Sequence, residues 1–118
     1  MIHTAITILT KNIANSYPGR VPQKAQLPFI NHFQVSSGFN PTKDGNTIKD
    51  IRYQVSVFSD SKDEVVQLSD QVINALDEFN GVIDGTKIIL MRVVDVNDLY
   101  EDSADAFHRA IDFRIFHE

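Results

Sequence analysis

The chain closes with the stretch FHRAIDFRIFHE, residues 107–118, in which apolar and charged residues alternate almost without a break. Successive side chains of a β-strand point to opposite faces of its sheet. One parity of this stretch is apolar and predicts a core face: Ile111, Phe113 and Ile115. The other parity carries Asp112 and Arg114, so this face is either a solvated sheet surface or a docking surface.

Three more strands follow from the same kind of pattern. A strand begins within LPFINHFQV (27–35), and two others run over residues 48–58 and 86–96. In the strand at 48–58, Arg52 and Gln54 have the outward parity. The closing strand then runs from about 106 to 117.

Helical spacing of apolar residues predicts a helix over residues 2–15. Ser61 followed three residues later by Glu64 is a capping box, which opens a second helix. We expect this helix to end near Phe79, because Asn80 and Gly81 suit the left-handed conformation that ends helices.

The element order is therefore α-β-β-α-β-β. It predicts one α+β domain over residues 1–118, with a four-stranded antiparallel sheet and two helices packed on one face. A long loop is expected at 36–49, where SSGFNPTKDGN reads as a loop or an extended hairpin tip.

The strand at 86–96 is apolar on both faces. Ile89, Met91 and Val93 share one parity, while the other also holds apolar residues. Something must then cover the second face, and the candidates are the proline-containing arm at 16–27 and another subunit.

Composition narrows the class of protein. A net charge of −5 argues against a general nucleic-acid binder, and the absence of cysteine excludes disulfides and thiolate metal sites. The most apolar stretch, 87–96, contains Arg92 and is about half the length that a membrane helix needs. We therefore expect a soluble protein with neither a membrane nor a specific nucleic-acid partner.

The motifs of catalysis are missing from the sequence. There is no GxSxG elbow, no glycine-rich phosphate cradle and no HExxH pair. The four histidines are far apart in sequence and are interpreted as scattered surface residues. We expect no catalytic residue, no cofactor and no metal.

What remains is surface, and it suits an assembly protein better than a catalyst. A long loop with an aromatic residue is often functional, and the charged strand face is a second candidate. The candidate interface residues are Phe39, Lys43, Asp44, Asn46, Lys49, Arg52, Asp112 and Arg114.

Several motifs occur together in a characteristic order. They are the N-terminal helix, GRV (19–21), LPFI (27–30), RYQVSVFS (52–59), INALD (73–77), DLYE (98–101) and FHRAIDFRI (107–115). In this order, over nearly the whole chain, they resemble the tail completion proteins of long-tailed bacteriophages and prophages, also called tail terminator or tail-to-head joining proteins.

The resemblance implies a structural virion protein without catalysis. Such proteins form a ring, commonly a hexamer, that caps the tail tube and offers a joining surface to the head connector. It also implies a chain that is monomeric before assembly, is assembled in the cytoplasm of the bacterial host and resides at the tail end of the virion. A ring needs two different patches on each subunit, and the charged strand face and the loop at 36–49 are the candidates.

Two alternatives stay open at this point. One is another phage morphogenesis protein, such as a head-completion or tail-tube component. The other is a small α+β ligand-binding or metabolic protein. Electron microscopy of a null mutant separates a terminator from another morphogenesis protein, because overlong tails unattached to heads are expected only of a terminator.

Overall fold

A computed structural model describes residues 1–41, 47–101 and 106–118. These residues contain two helices and six strands. In chain order they are α1 (Ile2–Thr10), β1 (Asn15–Pro18), β2 (Phe29–Pro41), β3 (Thr47–Ser59), α2 (Lys62–Leu76), β4 (Gly81–Ile83), β5 (Thr86–Glu101) and β6 (Ala106–His117).

All six strands form one curled, half-barrel sheet in the order β1-β2-β3-β6-β5-β4. β1 runs parallel to β2, and every other neighbouring pair is antiparallel. The predicted fold class, a four-stranded antiparallel sheet with two helices, is therefore wrong: the protein is mostly β, with a six-stranded mixed sheet. The two unpredicted strands, β1 and β4, have only four and three residues, too few for an alternating pattern to be recognised.

The long strands run from one end of the molecule to the other. The last pair of the β2–β3 hairpin, Pro41 with Thr47, lies at one end of the sheet. The corresponding pair of the β5–β6 hairpin, Glu101 with Ala106, lies at the other. The molecule is elongated accordingly, with principal extents of 50 × 25 × 24 Å. The segment predicted as a loop at 36–49 belongs to β2 up to Pro41 and to β3 from Thr47, while residues 42–46 lie outside the described part.

Ser61 is the N-cap of α2, as predicted, but the return bond of the capping box runs through Ser59 instead of directly from the Ser61 amide to Glu64. The Ser61 hydroxyl oxygen accepts the Glu64 amide at 3.4 Å. The Glu64 carboxylate accepts from the Ser59 hydroxyl at 2.6 Å, and the Ser59 oxygen in turn accepts the Ser61 amide at 3.1 Å. The last residue of β3 thus connects the strand to the first turn of α2.

α2 ends at Leu76, three residues earlier than predicted, because the chain turns to meet β5. Asp77 is extended and Glu78 has a φ of 63°. The Glu78 amide donates to the Met91 carbonyl at 2.7 Å, and the Met91 amide donates to the Phe79 carbonyl at 3.1 Å. α1 is also shorter than predicted, since it ends at Thr10 and residues 15–18 enter β1.

Two bulges explain why β5 is apolar on both parities. The pairing with β6 shifts between Ile88 and Leu90 and again between Val93 and Asp95. Each shift moves the following residues to the other face. Met91 is consequently buried together with Ile88, whereas Ile89 is exposed. The predicted grouping of Ile89 with Met91 and Val93 is therefore wrong.

One face of the sheet packs against both helices and is called the helix face; the opposite face is called the open face. The helix face of β6 carries Ile111, Phe113 and Ile115, which are fully buried, as predicted. Their core partners from the other elements are Ala5, Ile6, Ile30, Ile51, Tyr53, Val55, Val57, Val72, Leu76, Ile88 and Met91.

A buried histidine lies in this core, although the sequence interpretation placed all four histidines at the surface. His32 is fully buried, and His108 and His117 are nearly so. The His32 ring bonds through Nδ1 to the Tyr53 hydroxyl at 2.6 Å and through Nε2 to the Thr7 hydroxyl at 2.9 Å.

The direction of these bonds follows from Thr7. Its hydroxyl donates to the His3 carbonyl at 3.0 Å, so its oxygen accepts from the Nε2–H of His32. Nδ1 of His32 then carries no proton and accepts from the Tyr53 hydroxyl. The network therefore requires neutral His32. Burial, assisted by the nearby His3, lowers the pKa of His32 from 6.5 to about 4, and burial raises the pKa of Tyr53.

The neutral histidine makes stability depend on pH. Between pH 6.5 and 4 the unfolded chain binds a proton at His32 that the folded chain does not, so the fold loses stability as pH falls. We expect His32 to account for a loss of about 2 to 3 kcal/mol in the free energy of unfolding between pH 7 and 4.5. The comparison is urea unfolding of wild type and His32→Gln at both pH values. An equal loss in the two proteins would contradict the assignment.

Candidate assembly surface

The open face of the sheet carries three arginines in one line across adjacent strands. Arg52 of β3 lies directly opposite Arg114 of β6, which lies directly opposite Arg92 of β5. Neighbouring strands are about 4.8 Å apart, and all three arginines are exposed. We call these residues the arginine row.

Acidic residues flank the arginine row on both sides along the strands. On one side lie Asp112 and Asp95, which also oppose each other across β6 and β5. Asp112 accepts from the Gln54 side chain at 3.0 Å. Asp95 accepts from the Val96 amide and from the Asn97 side chain, both at 3.0 Å. These two carboxylates are thus already bonded to groups other than the arginines.

On the other side, Asp50 holds the central arginine. The Arg114 guanidinium donates two bonds to the Asp50 carboxylate, at 3.0 and 2.6 Å, and lies 4.9 Å from the centre of the Phe116 ring. This pairing keeps the pKa of the Asp50 carboxyl below its usual value. An exposed pair of this kind contributes little to stability, but its two-bond geometry orients the guanidinium.

Arg52 and Arg92 have no carboxylate within ion-pair distance among residues 1–41, 47–101 and 106–118. Like charges directly opposite each other on a sheet are destabilising. The arrangement therefore has no benefit for the folded monomer. It places three guanidiniums in one line between acidic residues, and only the central one, that of Arg114, is held by an ion pair.

The structure brings together part of the predicted interface set. Arg52, Asp112 and Arg114 are neighbours on the open face. Lys49 is exposed but has the opposite parity on β3, and it lines a cavity of about 540 Å³ together with His3 and His117. It therefore does not belong to the arginine row.

The other predicted residues do not enter the described site. The backbone of Phe39 lies in β2, opposite Lys49, whereas Lys43, Asp44 and Asn46 lie outside the described residues. Sequence reasoning missed Arg92 and Asp50. The bulges of β5 conceal the parity of Arg92, and Asp50 lies next to the segment that was interpreted as a loop.

The described residues give two further negative findings. They contain no cluster of three or more histidine, cysteine or acidic side chains arranged to hold a metal ion. No helix in the described ranges is long and apolar enough to span a membrane.

Comparison with known proteins gives both a family and a fold. The family model described as "Tail completion protein gp17" matches residues 2–118. Matches to solved structures comprise 33 chains. One is a chain of the "Virion of native gene transfer agent (GTA) particle", with a TM-score of 0.68 and 13% identity over 96% of this chain and 84% of that chain. At this identity the likeness shows the fold alone. No curated protein matches.

The arginine row can be tested in the isolated protein. Because Arg52 and Arg92 face Arg114 without acidic partners of their own, Arg52→Gln and Arg92→Gln should each raise the free energy of unfolding by about 0.2–1 kcal/mol. The gain should shrink at high salt, which screens exposed charges. Lys87→Gln on the same strand is the control and should have little effect. Destabilisation by both arginine variants at low salt would contradict the like-charge interpretation.

Proposed function

The chain belongs to the tail completion protein gp17 family, and on that basis we propose that it caps the phage tail tube as a ring and provides the surface to which the head connector joins. The family is one of structural virion proteins, and the chain is accordingly a structural tail protein of a phage, located in the virion. The proposed role is mechanical and needs no catalytic step.

The observation that carries the proposal is the arginine row. Two exposed guanidiniums, those of Arg52 and Arg92, lack an acidic partner among the described residues. The third, that of Arg114, is oriented by Asp50. Exposed charges that do not help a monomer fold are typical of binding surfaces, and the central charge of this row has a defined geometry. The open face is thus proposed to dock on acidic groups of the tail tube or of the head connector.

The assembled form is proposed to be a ring of six copies. Each copy would be monomeric in solution, would join the ring at the tail end and would be assembled in the bacterial cytoplasm. A ring requires that one patch of each subunit meets a different patch of its neighbour. The open face would then remain available for the tail tube or the head connector.

Charge reversal on the open face tests this function. Asp112→Arg and Arg114→Asp should leave the monomer folded, because both side chains lie on the surface side of β6, and should abolish the joining of tails to heads. The measurement is complementation of a null mutant, with infectious titre and electron microscopy as readouts. The null mutant itself should give overlong tails without heads. Tails of normal length in the null mutant, or wild-type titres from both reversals, would overturn the proposal.

Two controls separate docking from folding. The double variant Asp50→Arg with Arg114→Asp restores the ion pair with exchanged charges, so it should melt like wild type and still fail to join. Lys24→Glu changes an exposed charge in the arm between β1 and β2, outside the arginine row, and should join normally.

A further inference from the structure

We infer that copies of this chain join edge to edge, with β1 of one copy adding antiparallel to β5 of the next while β4 of that next copy adds parallel to β2 of the first. This inference rests on the proposed ring and identifies the surface that closes it. The two sheet edges carry the inference. Each edge has a short extra strand at one end and is bare along the rest, and the two extra strands lie at opposite ends of the sheet.

The first edge is covered only at one end. β1 pairs with Phe29–His32 of β2 and with nothing further along that strand. From Phe33 to Pro41, β2 has β3 on one side and no described strand on the other. This edge therefore protrudes at the beginning of β2 and is recessed along the rest.

The second edge is covered only at the opposite end. β4 pairs with Thr86–Ile88 of β5, and the segment that follows α2 bonds to Met91. From Val94 to Glu101, β5 has β6 on one side and no strand of the described chain on the other. This edge protrudes at the beginning of β5 and is recessed towards its end.

The register across the sheet shows that the steps match. Each residue of a strand pair lies at the same height along the sheet as its partner. Successive pairs across the sheet connect Asn15 of β1 to Phe29, Phe58, His108 and finally Leu99 of β5. Stacked rings mark this level, with centroids 4.9 Å apart for Phe29 and Phe58 and 4.1 Å for Phe58 and His108. The protruding β1 is thus at the height of the recess along β5.

The same tracing applies at the other end. Ile88, beside β4, lies level with His117, Lys49 and Phe39. The protruding β4 is therefore at the height of the recess along β2. Since β1, β2 and β4 run in one direction and β5 in the other, copies related by rotation would pair β1 with β5 antiparallel and β4 with β2 parallel. The two edges of one copy differ, as a closed ring requires.

The strands at both edges of the sheet expose apolar side chains. On β5, Val94, Val96 and Leu99 are 40–51% exposed, and Val82 of β4 is 63% exposed. On the recess of β2, Val35 is 54% exposed. Bare strand edges with apolar residues recruit another strand. A second copy fits both recesses at once, which is the reason for choosing it over a strand from another protein.

Side chains protect the β5 edge in the free chain. The Val93 amide donates to Asp77 at 3.0 Å, and the Val96 amide donates to Asp95 at 3.0 Å. Pro18 ends β1 and has no amide to offer. Such protection is the usual defence of monomers against unwanted strand pairing. It keeps the bare edges from pairing before a ring forms. When the ring forms, the Val96 amide leaves the Asp95 carboxylate and donates to β1 of the neighbouring copy.

Disulfide trapping tests the pairing, because the chain has no cysteine. Asn15→Cys and Leu99→Cys place thiols at the same level and on the same face, where residues opposite each other on paired strands have Cβ atoms about 4.5–5.5 Å apart. The double variant complements the null mutant, and purified particles are then oxidised. A ladder of multimers of this chain on a non-reducing gel is expected, while each single variant gives monomer only.

The matched control is Asn15→Cys with Lys87→Cys, which places the second thiol at the covered end of β5 and should not crosslink. Joined heads and tails without a ladder would overturn the edge pairing and leave the proposed function standing. A crosslink to a chain of different mass would assign the edge to another protein and would also overturn it. If the null mutant gives tails of normal length, the proposed function fails, and the ladder is then sought in concentrated purified protein.

A second variant keeps the inference testable if cysteines disturb the ring. Val96→Pro removes the amide that donates to Asp95, and we expect the rest of β5 to keep its pairing with β6, so the melting temperature should stay near that of wild type. It should abolish incorporation into particles, whereas Val96→Ala should not. Wild-type incorporation of Val96→Pro would overturn the inference.

Discussion

The pairing of β6 between β3 and β5 is the constraint on which the rest of the structure depends. Phe113 lies between Tyr53 and Val93, and the alternating pattern of β6 then sends apolar side chains to the helices and charged ones to the open face. A shift of one residue would exchange the two faces, burying Asp112 and Arg114. One register thus determines both the core and the arginine row.

Much of this arrangement could be predicted from periodicity. The alternation of β6 and the cap at Ser61 are local signals, and both predicted their elements because short-range chemistry alone decides them. β1 and β4 are too short for a periodic signal. They form because neighbouring strands supply their hydrogen-bond partners. That pairing depends on the tertiary fold and leaves no periodic pattern in three or four residues. The strand count and the mixed pairing were missed for that reason.

The sequence predicted only part of the site, and the reason is related. Arg52 and Arg114 lie on strands without a bulge between them, so parity placed them correctly on one face. Arg92 lies between two bulges, and a bulge depends on backbone pairing rather than on residue type. The histidines show the same limit. His32 is buried because Thr7 and Tyr53 satisfy its ring, and neither partner is near it in sequence.

The strand directions also bear on the shape of the proposed ring. The β2–β3 hairpin ends at one extreme of the 50 Å axis and the β5–β6 hairpin at the other. In a ring of identically oriented copies, one rim would present only the first hairpin and the other rim only the second. Two such rims are chemically different surfaces, so the proposed ring would be polar along its axis, with one end distinguishable from the other.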